Sequence, residues 1–250
     1  MENSNIEWTI NTFNIAIGCT KISPGCANCY AERKSKQWGD DLWGKTKPRQ
    51  TMGKYYWAKP YEWNAQAQAE GVRVRVFCSS MCDVFEEHPT IDAERGKLWP
   101  LIRATPWLDW QILTKRAERI ASNLPSDWGN GYPNVWLGVS VESDDYAWRF
   151  NDHLAKIPCA VRFVSYEPAL GPLTNLDWVK LNWIIYGGES GPVFRQDDTA
   201  WAESVRKQCL EFGVSFFYKQ TAARWPGTGA TLNGQTIQEF PKPQTLQMAA

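Results

Sequence analysis

Three cysteines lie close together near the start of the chain, at Cys19, Cys26 and Cys29. They occupy a polar run flanked by glycines, and three thiolates in such a run are typical ligands of a metal or an iron–sulfur group. The helix-forming residues after Tyr30 place Cys29 at the start of a predicted helix, where the positive end of the helix dipole favours a thiolate. The loop is therefore predicted to bind a metal group through three sulfurs, with a fourth coordination position free.

Several kinds of site fit this loop. A structural zinc ion needs four protein ligands and a closed electron-transfer cluster needs four cysteines, so either requires one more ligand from elsewhere in the chain. An open [4Fe-4S] cluster needs only the three cysteines of the loop. Reduced cysteines without a metal suit Cys159 and Cys209 better than this polar loop. The candidates for a fourth ligand are Cys78, Cys82, His88 and His153.

Composition indicates where such a loop can work. The chain has 250 residues and seven cysteines, an odd number that argues against a framework of disulfides. No apolar leader is visible, and no apolar run approaches the roughly 20 residues that cross a bilayer. Lys plus Arg equals Asp plus Glu at 27 each, so no overall basic field indicates nucleic acid. We expect a cytoplasmic protein without membrane attachment.

Short apolar runs alternate with helical patterns along nearly the whole chain. Strands are predicted at residues 13–17, 72–77, 110–113, 135–140, 161–165, 183–186 and 214–218. Helices are predicted near residues 28–37, 90–104, 115–123, 144–156 and 199–212. Such repeats predict parallel strands with right-handed crossovers. We expect an α/β fold, a partial or complete (β/α) barrel of six to seven parallel strands, with an open doubly wound sheet as the alternative.

The predicted strands become polar or charged at their C-terminal ends. In barrel enzymes this end of the strands holds the active site. Because side chains alternate along a strand, Ser140 and Glu142 share one side of their strand, and Ser165 and Glu167 share one side of theirs. These pairs are expected to point into the barrel mouth. The charged residues at the strand ends are Glu142, Glu167, Glu189, Lys115 and Lys219.

Two segments depart from the alternation. Residues 38–65 interleave tryptophan and tyrosine with lysine, which suits stacking on bases but suits better a lid whose rings pack on the barrel under lysine stems. The last residues are rich in Gly, Pro and Thr. We therefore divide the chain into a barrel domain, residues 1–222, with an aromatic and basic insert at about 38–65, and a C-terminal appendix, residues 223–250.

The cysteine loop resembles that of the radical S-adenosylmethionine superfamily, in which a loop after the first strand of a partial (β/α) barrel carries three cysteines. The short spacing of Cys26 and Cys29 matches, whereas six residues separate Cys19 from Cys26 instead of the usual three. The resemblance implies a [4Fe-4S] cluster on the three cysteines and S-adenosylmethionine on its open iron. It also implies a reductant, whose electron would lead to a 5'-deoxyadenosyl radical.

A closer resemblance spans most of the chain. Five strings are similar to a family of phage and bacterial proteins of unassigned function, whose cysteine loop is like that of radical enzymes. The strings are residues 18–32, 113–116, 134–142, 167–172 and 186–192. This similarity supports membership of such a family and implies no particular reaction.

The resemblance to radical enzymes also implies residues that bind the cofactor. Gly187, Gly188 and Glu189 are candidates for the methionine or ribose end of S-adenosylmethionine, through exposed backbone amides and a carboxylate. Ser140 and Glu142 are candidates for its ribose hydroxyls.

The remaining charged residues of the strand ends are candidates for catalysis. Lys115, Glu167 and Lys219 would orient a substrate or move protons, because a barrel mouth can shift the pKa of such groups. The expected substrate is a nucleic acid or nucleotide, and a protein encoded nearby is a further candidate partner. The alternative function is a nucleic-acid-binding or adaptor protein in which zinc or a closed cluster only stabilises the loop.

Overall fold

Parallel strands form the centre of the molecule, and a computed structural model describes residues 1–242. The strands of the large sheet are β1 Asn11–Phe13, β4 Val74–Cys78, β5 Leu108–Thr114, β6 Val135–Ser140, β7 Val161–Tyr166, β8 Trp183–Gly187 and β9 Ser215–Gln220. They are hydrogen-bonded in that order, and every pair is parallel. The sheet curls into a partial barrel, and its end strands β1 and β9 are not paired to each other among the described residues. The predicted (β/α) barrel is confirmed, with seven parallel strands.

The helices begin and end at recognisable signals. In chain order they are α1 Tyr30–Gln37, α2 Lys54–Glu70, α3 Pro89–Ala104 and α4 Thr199–Phe212. At the start of α4, the Asp198 carboxylate accepts a hydrogen bond of 2.9 Å from the backbone of Ala200, which satisfies a free N–H of the first turn. Gly71 and Gly213 end α2 and α4 in the left-handed conformation that glycine adopts without strain.

The helices predicted over residues 115–123 and 144–156 are wrong. The first segment consists of short 3₁₀ turns, in which the Asn123 side chain donates to the Arg119 carbonyl that an α-helix would pair with the backbone of Asn123. The second widens into a π turn, Arg149–His153, where the Arg149 guanidinium turns inward to Glu142 at 2.8 Å. In both segments side-chain contacts override the helical periodicity.

The first strand and the aromatic insert also differ from the prediction. Residues 13–17 do not form one strand, because β1 ends at Phe13 and a separate strand, β2 Ala16–Ile17, pairs antiparallel with β3 Gln50–Thr51. Most of α2 lies inside the insert, where Pro60 and the many rings concealed a helix. Trp63 is 6% exposed and belongs to the hydrophobic core, so this part of the insert packs on the barrel.

Aromatic rings fill the lower part of the barrel interior. The cluster consists of Trp8, Phe77, Trp136, Phe163, Trp183 and Phe217, with Val161 and Ile185 between them. A Cβ at Gly138 would lie 2.2 Å from the Phe163 ring, so β6 needs glycine where that ring crosses the interior. Trp8 comes from the segment before β1 and closes the barrel floor from inside, packing on Phe77 at 4.6 Å between ring centres.

The segment after the last strand packs beside β9. The backbone of Tyr218 donates to Ile237 at 2.8 Å, and the Trp183 indole donates to the Glu239 carbonyl at 2.9 Å. Phe240 covers Trp183 at 5.5 Å between ring centres. Residues 243–250 of the predicted appendix lie outside the described residues. In the part of the chain that is described, no helix is long and apolar enough to cross a membrane.

Candidate active site

A cavity of about 850 Å³ lies at the C-terminal ends of the strands, above the aromatic floor. All three cysteines of the loop line it, together with a polar rim from β5, β6, β7, β8 and β9. The predicted residues that line the cavity are Cys19, Cys26, Cys29, Lys115, Ser140, Glu167, Glu189 and Lys219. The structure therefore brings eight of the eleven predicted site residues to one cavity, and Glu142, Gly187 and Gly188 are not among its lining.

The cysteine loop joins β2 to α1. It contains a 3₁₀ turn, Pro24–Cys26, and Cys29 is the residue immediately before α1, as the sequence predicts. All three thiols are free and partly exposed. Burial, with the neighbouring carboxylate of Asp83, raises the pKa of the Cys19 thiol well above its usual range. A thiolate at Cys19 therefore needs a compensating positive charge.

Arg116 supplies positive charge beside Cys19. Its guanidinium Nη1 lies 3.7 Å from Cys19 Sγ, and Nη2 donates to the Thr20 carbonyl at 2.8 Å. Asp83 holds the same guanidinium at 2.8 Å, and Glu86 lies 3.4 Å from it. The carboxylates of Asp83 and Glu86 raise the pKa of Arg116 although burial opposes them, so this group stays charged. Arg116 thus fixes the first turn of the loop and donates towards its sulfur.

A second buried arginine supports the same turn from behind. Both carboxylate oxygens of Glu86 accept from Arg49 at 2.8 Å, and Arg49 also donates to Thr20 Oγ1 at 2.9 Å. Gly18 has φ of +116°, and a Cβ there would lie 2.6 Å from the Leu42 carbonyl. The chain can therefore enter the loop at this angle only with glycine before Cys19.

Glu142 supports the middle of the loop from below. It is fully buried, accepts from Ser23 Oγ at 2.7 Å and pairs with Arg149 at 2.8 Å. A Cβ at Gly25 would lie 2.3 Å from its carboxylate, so the loop rests directly on this group. The structure thus shows Glu142 bound by Ser23 and Arg149, and its contact with a ribose stays a prediction. The ammonium of Lys115 lies 3.9 Å from Glu142 and faces the cavity.

Glu189 holds the end of the loop. It pairs with Arg195 and accepts from Asn28 at 2.9 Å, and Arg195 in turn donates to the Pro24 carbonyl at 3.0 Å. Burial alone would raise the pKa of Glu189, but hydrogen bonds from Arg195 and Asn28 outweigh it and lower the pKa. Glu189 lines the cavity, yet its carboxylate already has protein donors.

Glu167 and Lys219 form an ion pair inside the cavity. Glu7, from the segment before β1, lines the cavity with them, and its pKa is raised by burial and by Glu167 although Lys219 opposes the shift. A Cβ at Gly187 would lie 3.0 Å from the Glu167 carboxylate, so glycine leaves room for this side chain. The group holds two carboxylates and one ammonium near one another, which suits proton transfer or the binding of a polar substrate group.

Gly188 serves the packing of the fold. A Cβ there would lie 2.0 Å from the backbone nitrogen of Ala222, and its N–H donates to the Gln220 carbonyl at 3.0 Å. The close approach of two backbone segments explains the glycine without a bound ligand. The pair of glycines before Glu189 therefore shapes the rim and does not line the cavity.

The functional residues that the sequence analysis missed are mostly arginines. Arg49, Arg116, Arg149 and Arg195 hold the loop or its supports, and Glu7 joins the cavity from the N-terminal segment. Only Arg116 carried a signal, because it ends the string 113–116 that resembles the phage and bacterial family.

The loop's donor set fits an iron–sulfur group. Arg116 donates towards Cys19 Sγ, whereas Ser23 Oγ lies 3.7 Å from Cys26 Sγ and donates its own hydrogen to Glu142. No three or more His, Cys, Asp or Glu side chains within residues 1–242 are close enough to hold a single metal ion. Each thiolate of an iron–sulfur cluster binds its own iron, so a cluster does not require the three sulfurs to meet on one ion.

Comparisons with known proteins give one structural and one family match. The fold is similar to a mutant of spore photoproduct lyase, solved with bound AdoMet and dinucleoside spore photoproduct, with a TM-score of 0.47 and 12% sequence identity. The match covers 84% of this chain and 63% of that one, so the chain spans less than two thirds of that protein. No curated protein matches the chain.

The family match concerns nearly the whole chain. The description of the matching family names neither an activity nor a source, so the resemblance to phage proteins stays a prediction. The matching family model covers residues 3–241 and is described as "Protein of unknown function (DUF5131)", and the chain therefore belongs to this family.

Proposed function

We propose that the protein is a radical S-adenosylmethionine enzyme, with a [4Fe-4S] cluster held by Cys19, Cys26 and Cys29. One observation carries the proposal: three thiols of a single loop face one cavity at the C-terminal ends of parallel strands. That cavity of about 850 Å³ has room for a further ligand beside the sulfurs. The loop thus combines three ligands with space at the fourth position.

The protein's own residues prepare this chemistry. Arg116 donates towards Cys19 Sγ, while Glu142 and Glu189 hold the loop at its middle and end. When bound, such a cluster gives one electron to S-adenosylmethionine, so that the carbon–sulfur bond breaks into methionine and a 5'-deoxyadenosyl radical.

Other cavity residues are proposed to bind the cofactor and the substrate. Ser140 and Ser165 are 2% exposed and line the cavity, where their hydroxyls suit contacts with the ribose of the cofactor. Lys115 offers a positive charge with only a distant partner, and it suits a carboxylate or phosphate. Glu167 and Lys219 are proposed to orient the substrate and manage its proton.

The substrate is proposed to be a nucleotide or nucleic acid. Two aromatic and two basic side chains line the cavity together, namely Tyr30, Trp43, Arg33 and Lys34. Rings beside cations suit bases and phosphates. Because the cluster needs a reducing compartment, we propose that the protein is cytoplasmic. A protein encoded nearby is a candidate partner.

Anaerobic reconstitution tests the function. We expect brown protein with about four irons per chain, and reduced protein that releases 5'-deoxyadenosine from S-adenosylmethionine. Cys26→Ala should lose the cluster, because it removes one of three ligands. The matched control is Cys209→Ala, a buried cysteine of α4 away from the cavity, which should keep the cluster.

Two results would contradict the proposal. Colourless protein with one zinc per chain would support the alternative, a nucleic-acid-binding or adaptor protein with a structural zinc site. A full cluster in the Cys26→Ala variant would refute the ligand assignment.

A further inference from the structure

The cysteine loop lies between two hollows of the surface. Its inner side faces the cavity of about 850 Å³, and its outer side faces a groove of about 460 Å³ between α1 and the segment after β8. The residues that line both hollows are Lys21, Asn28, Cys29, Arg33 and Gln37. The groove therefore reaches the proposed cluster site at Cys29.

The outer groove is basic, although the chain as a whole has no net charge. Lys21, Arg33 and Lys36 line it, against the single carboxylate of Glu32 among its described lining residues. Lys21 and Lys36 bind that carboxylate at 2.6 and 2.7 Å, so Glu32 is neutralised and the groove keeps a positive excess. Such a local field attracts an acidic partner by steering its approach.

A small apolar surface lies inside this basic ring. Val193 is 70% exposed and lines the groove with Pro192. The Val193 carbonyl accepts from the Asn28 side chain at 2.8 Å, which ties this surface to the cysteine loop. Charged residues around a small apolar centre are typical of the weak, short-lived interfaces of electron-transfer proteins.

We infer that this groove is the docking surface for an acidic one-electron carrier protein that reduces the cluster. The inference rests on the proposed function and adds the partner and its point of entry. One electron passes from a flavin or iron–sulfur centre of the carrier to the cluster; the carrier is oxidised by one electron, and no bond forms or breaks. Because the carrier docks outside the loop, cofactor and substrate can occupy the inner cavity at the same time.

A nucleic acid is the other ligand that a basic groove attracts. Single strands bind through a basic track together with rings on which bases stack. The described residues that line the groove include no aromatic ring, whereas the inner cavity has Tyr30 and Trp43. The groove therefore suits a protein carrier better than a nucleic acid.

The test compares two electron donors on the reconstituted, oxidised protein in stopped flow. One donor is reduced flavodoxin with an acidic surface, and the other is photoreduced 5-deazariboflavin, which is small and neutral. The variants are Lys36→Glu and Val193→Glu, which line only the groove and not the cavity. Their matched controls are Lys207→Glu on α4 and Val179→Glu, an exposed valine before β8 at the opposite end of the barrel.

We expect Lys36→Glu to slow reduction by flavodoxin by roughly tenfold or more at low salt, with Val193→Glu slower to a lesser degree. Both variants should accept electrons from 5-deazariboflavin at the wild-type rate, and both controls should behave as wild type. The difference in the flavodoxin rate between wild type and Lys36→Glu should shrink as salt screens the charges.

Other results overturn the inference. Equal flavodoxin rates in variants and wild type would exclude the groove, and equal losses with both donors would show damage to the loop. Loss of single-stranded DNA binding in Lys36→Glu with an unchanged flavodoxin rate would assign the groove to nucleic acid. A wild-type protein that holds no cluster refutes the proposed function itself, whereas a wild-type cluster reduced only by the neutral donor refutes the docking site.

Discussion

The lower and upper parts of the barrel interior belong to the same strands and differ in chemistry. Below, Trp183 packs on Trp8 and Trp136 at ring-centre distances of 6.1 and 5.8 Å. Above, the next inward residues are polar, so Phe217 of β9 is followed two residues later by Lys219. One step along a strand thus separates packing that stabilises the fold from groups that face a ligand.

The upper part itself contains two kinds of carboxylate. Glu142 and Glu189 are bound by arginines and hold the cysteine loop, whereas Glu167 pairs with Lys219 inside the cavity. The side chains of Glu142 and Glu189 are 1% and 6% exposed, whereas that of Glu167 is 23% exposed and its partner Lys219 also lines the cavity. Substitutions at the two kinds of carboxylate should therefore differ in their effects on stability and on its pH dependence.

The largest effect is expected from the aromatic floor. Trp183→Ala removes a fully buried ring and should lower the free energy of unfolding by about 3–5 kcal/mol. Urea unfolding followed by circular dichroism measures it. Trp225→Ala is the control, because that ring is 68% exposed and its loss should change stability by about 0.5 kcal/mol or less. Similar losses in both variants would contradict a stabilising floor.

A buried ion pair should give the next largest effect. Arg149→Met leaves Glu142 buried without its arginine, and it should lower the free energy of unfolding by about 3 kcal/mol. Adding Glu142→Leu removes the unpaired charge, so the double variant should be more stable than Arg149→Met alone. Urea unfolding of both variants gives the comparison. A double variant less stable than the single one would indicate that Glu142 acts mainly through Ser23.

Glu189 should show a pH-dependent contribution. Its pKa in the folded protein is lowered, so its ion pair with Arg195 stabilises the protein above the unfolded pKa of about 4.3 and is lost as pH falls through the folded pKa. Glu189→Gln should cost about 1–2 kcal/mol at neutral pH, and the gap to wild type should narrow below about pH 4. Unfolding curves at several pH values measure the gap, and a gap that widens in acid would be the opposite result.

The smallest effect on stability is expected inside the cavity. Lys219→Met removes an ion pair whose side chains are 17% and 23% exposed, and it should change the free energy of unfolding by about 1 kcal/mol or less. Phe217→Ala on the same strand should cost about 3–5 kcal/mol. The two variants compare a buried ring with a cavity ion pair on the same strand. An equal loss in the free energy of unfolding in both would contradict the difference between the lower and upper parts of the barrel.

The fold could be predicted from the sequence because its signal is local. Apolar runs such as Val135–Ser140 are buried on both sides, and their polar ends mark the mouth of the barrel. The two wrong helices lie where side chains compete with the backbone, at Asn123 and Arg149. Both contacts are short in sequence, from Asn123 to Arg119 and from Arg149 to Glu142, but they depend on how the side chains turn and leave no periodic pattern.

The candidate site was predictable only where a residue type announces its chemistry. The cysteines and the cavity residues Glu167 and Lys219 do so, but Arg116 does not, because its contact with Cys19 spans 97 positions of the chain. The close packing at Gly188 was not predictable for the related reason that the backbone which crowds it belongs to Ala222.

The central claim is that three cysteines leave one iron of a cluster open to S-adenosylmethionine. Electron paramagnetic resonance of the reduced, reconstituted protein tests it, with and without S-adenosylmethionine labelled with ¹⁵N at its amino group. We expect a changed spectrum and a ¹⁵N coupling from the labelled nitrogen, which unlabelled cofactor replaces with a ¹⁴N coupling. A spectrum that ignores the cofactor, in protein with a complete cluster, would show that a fourth protein ligand closes the site.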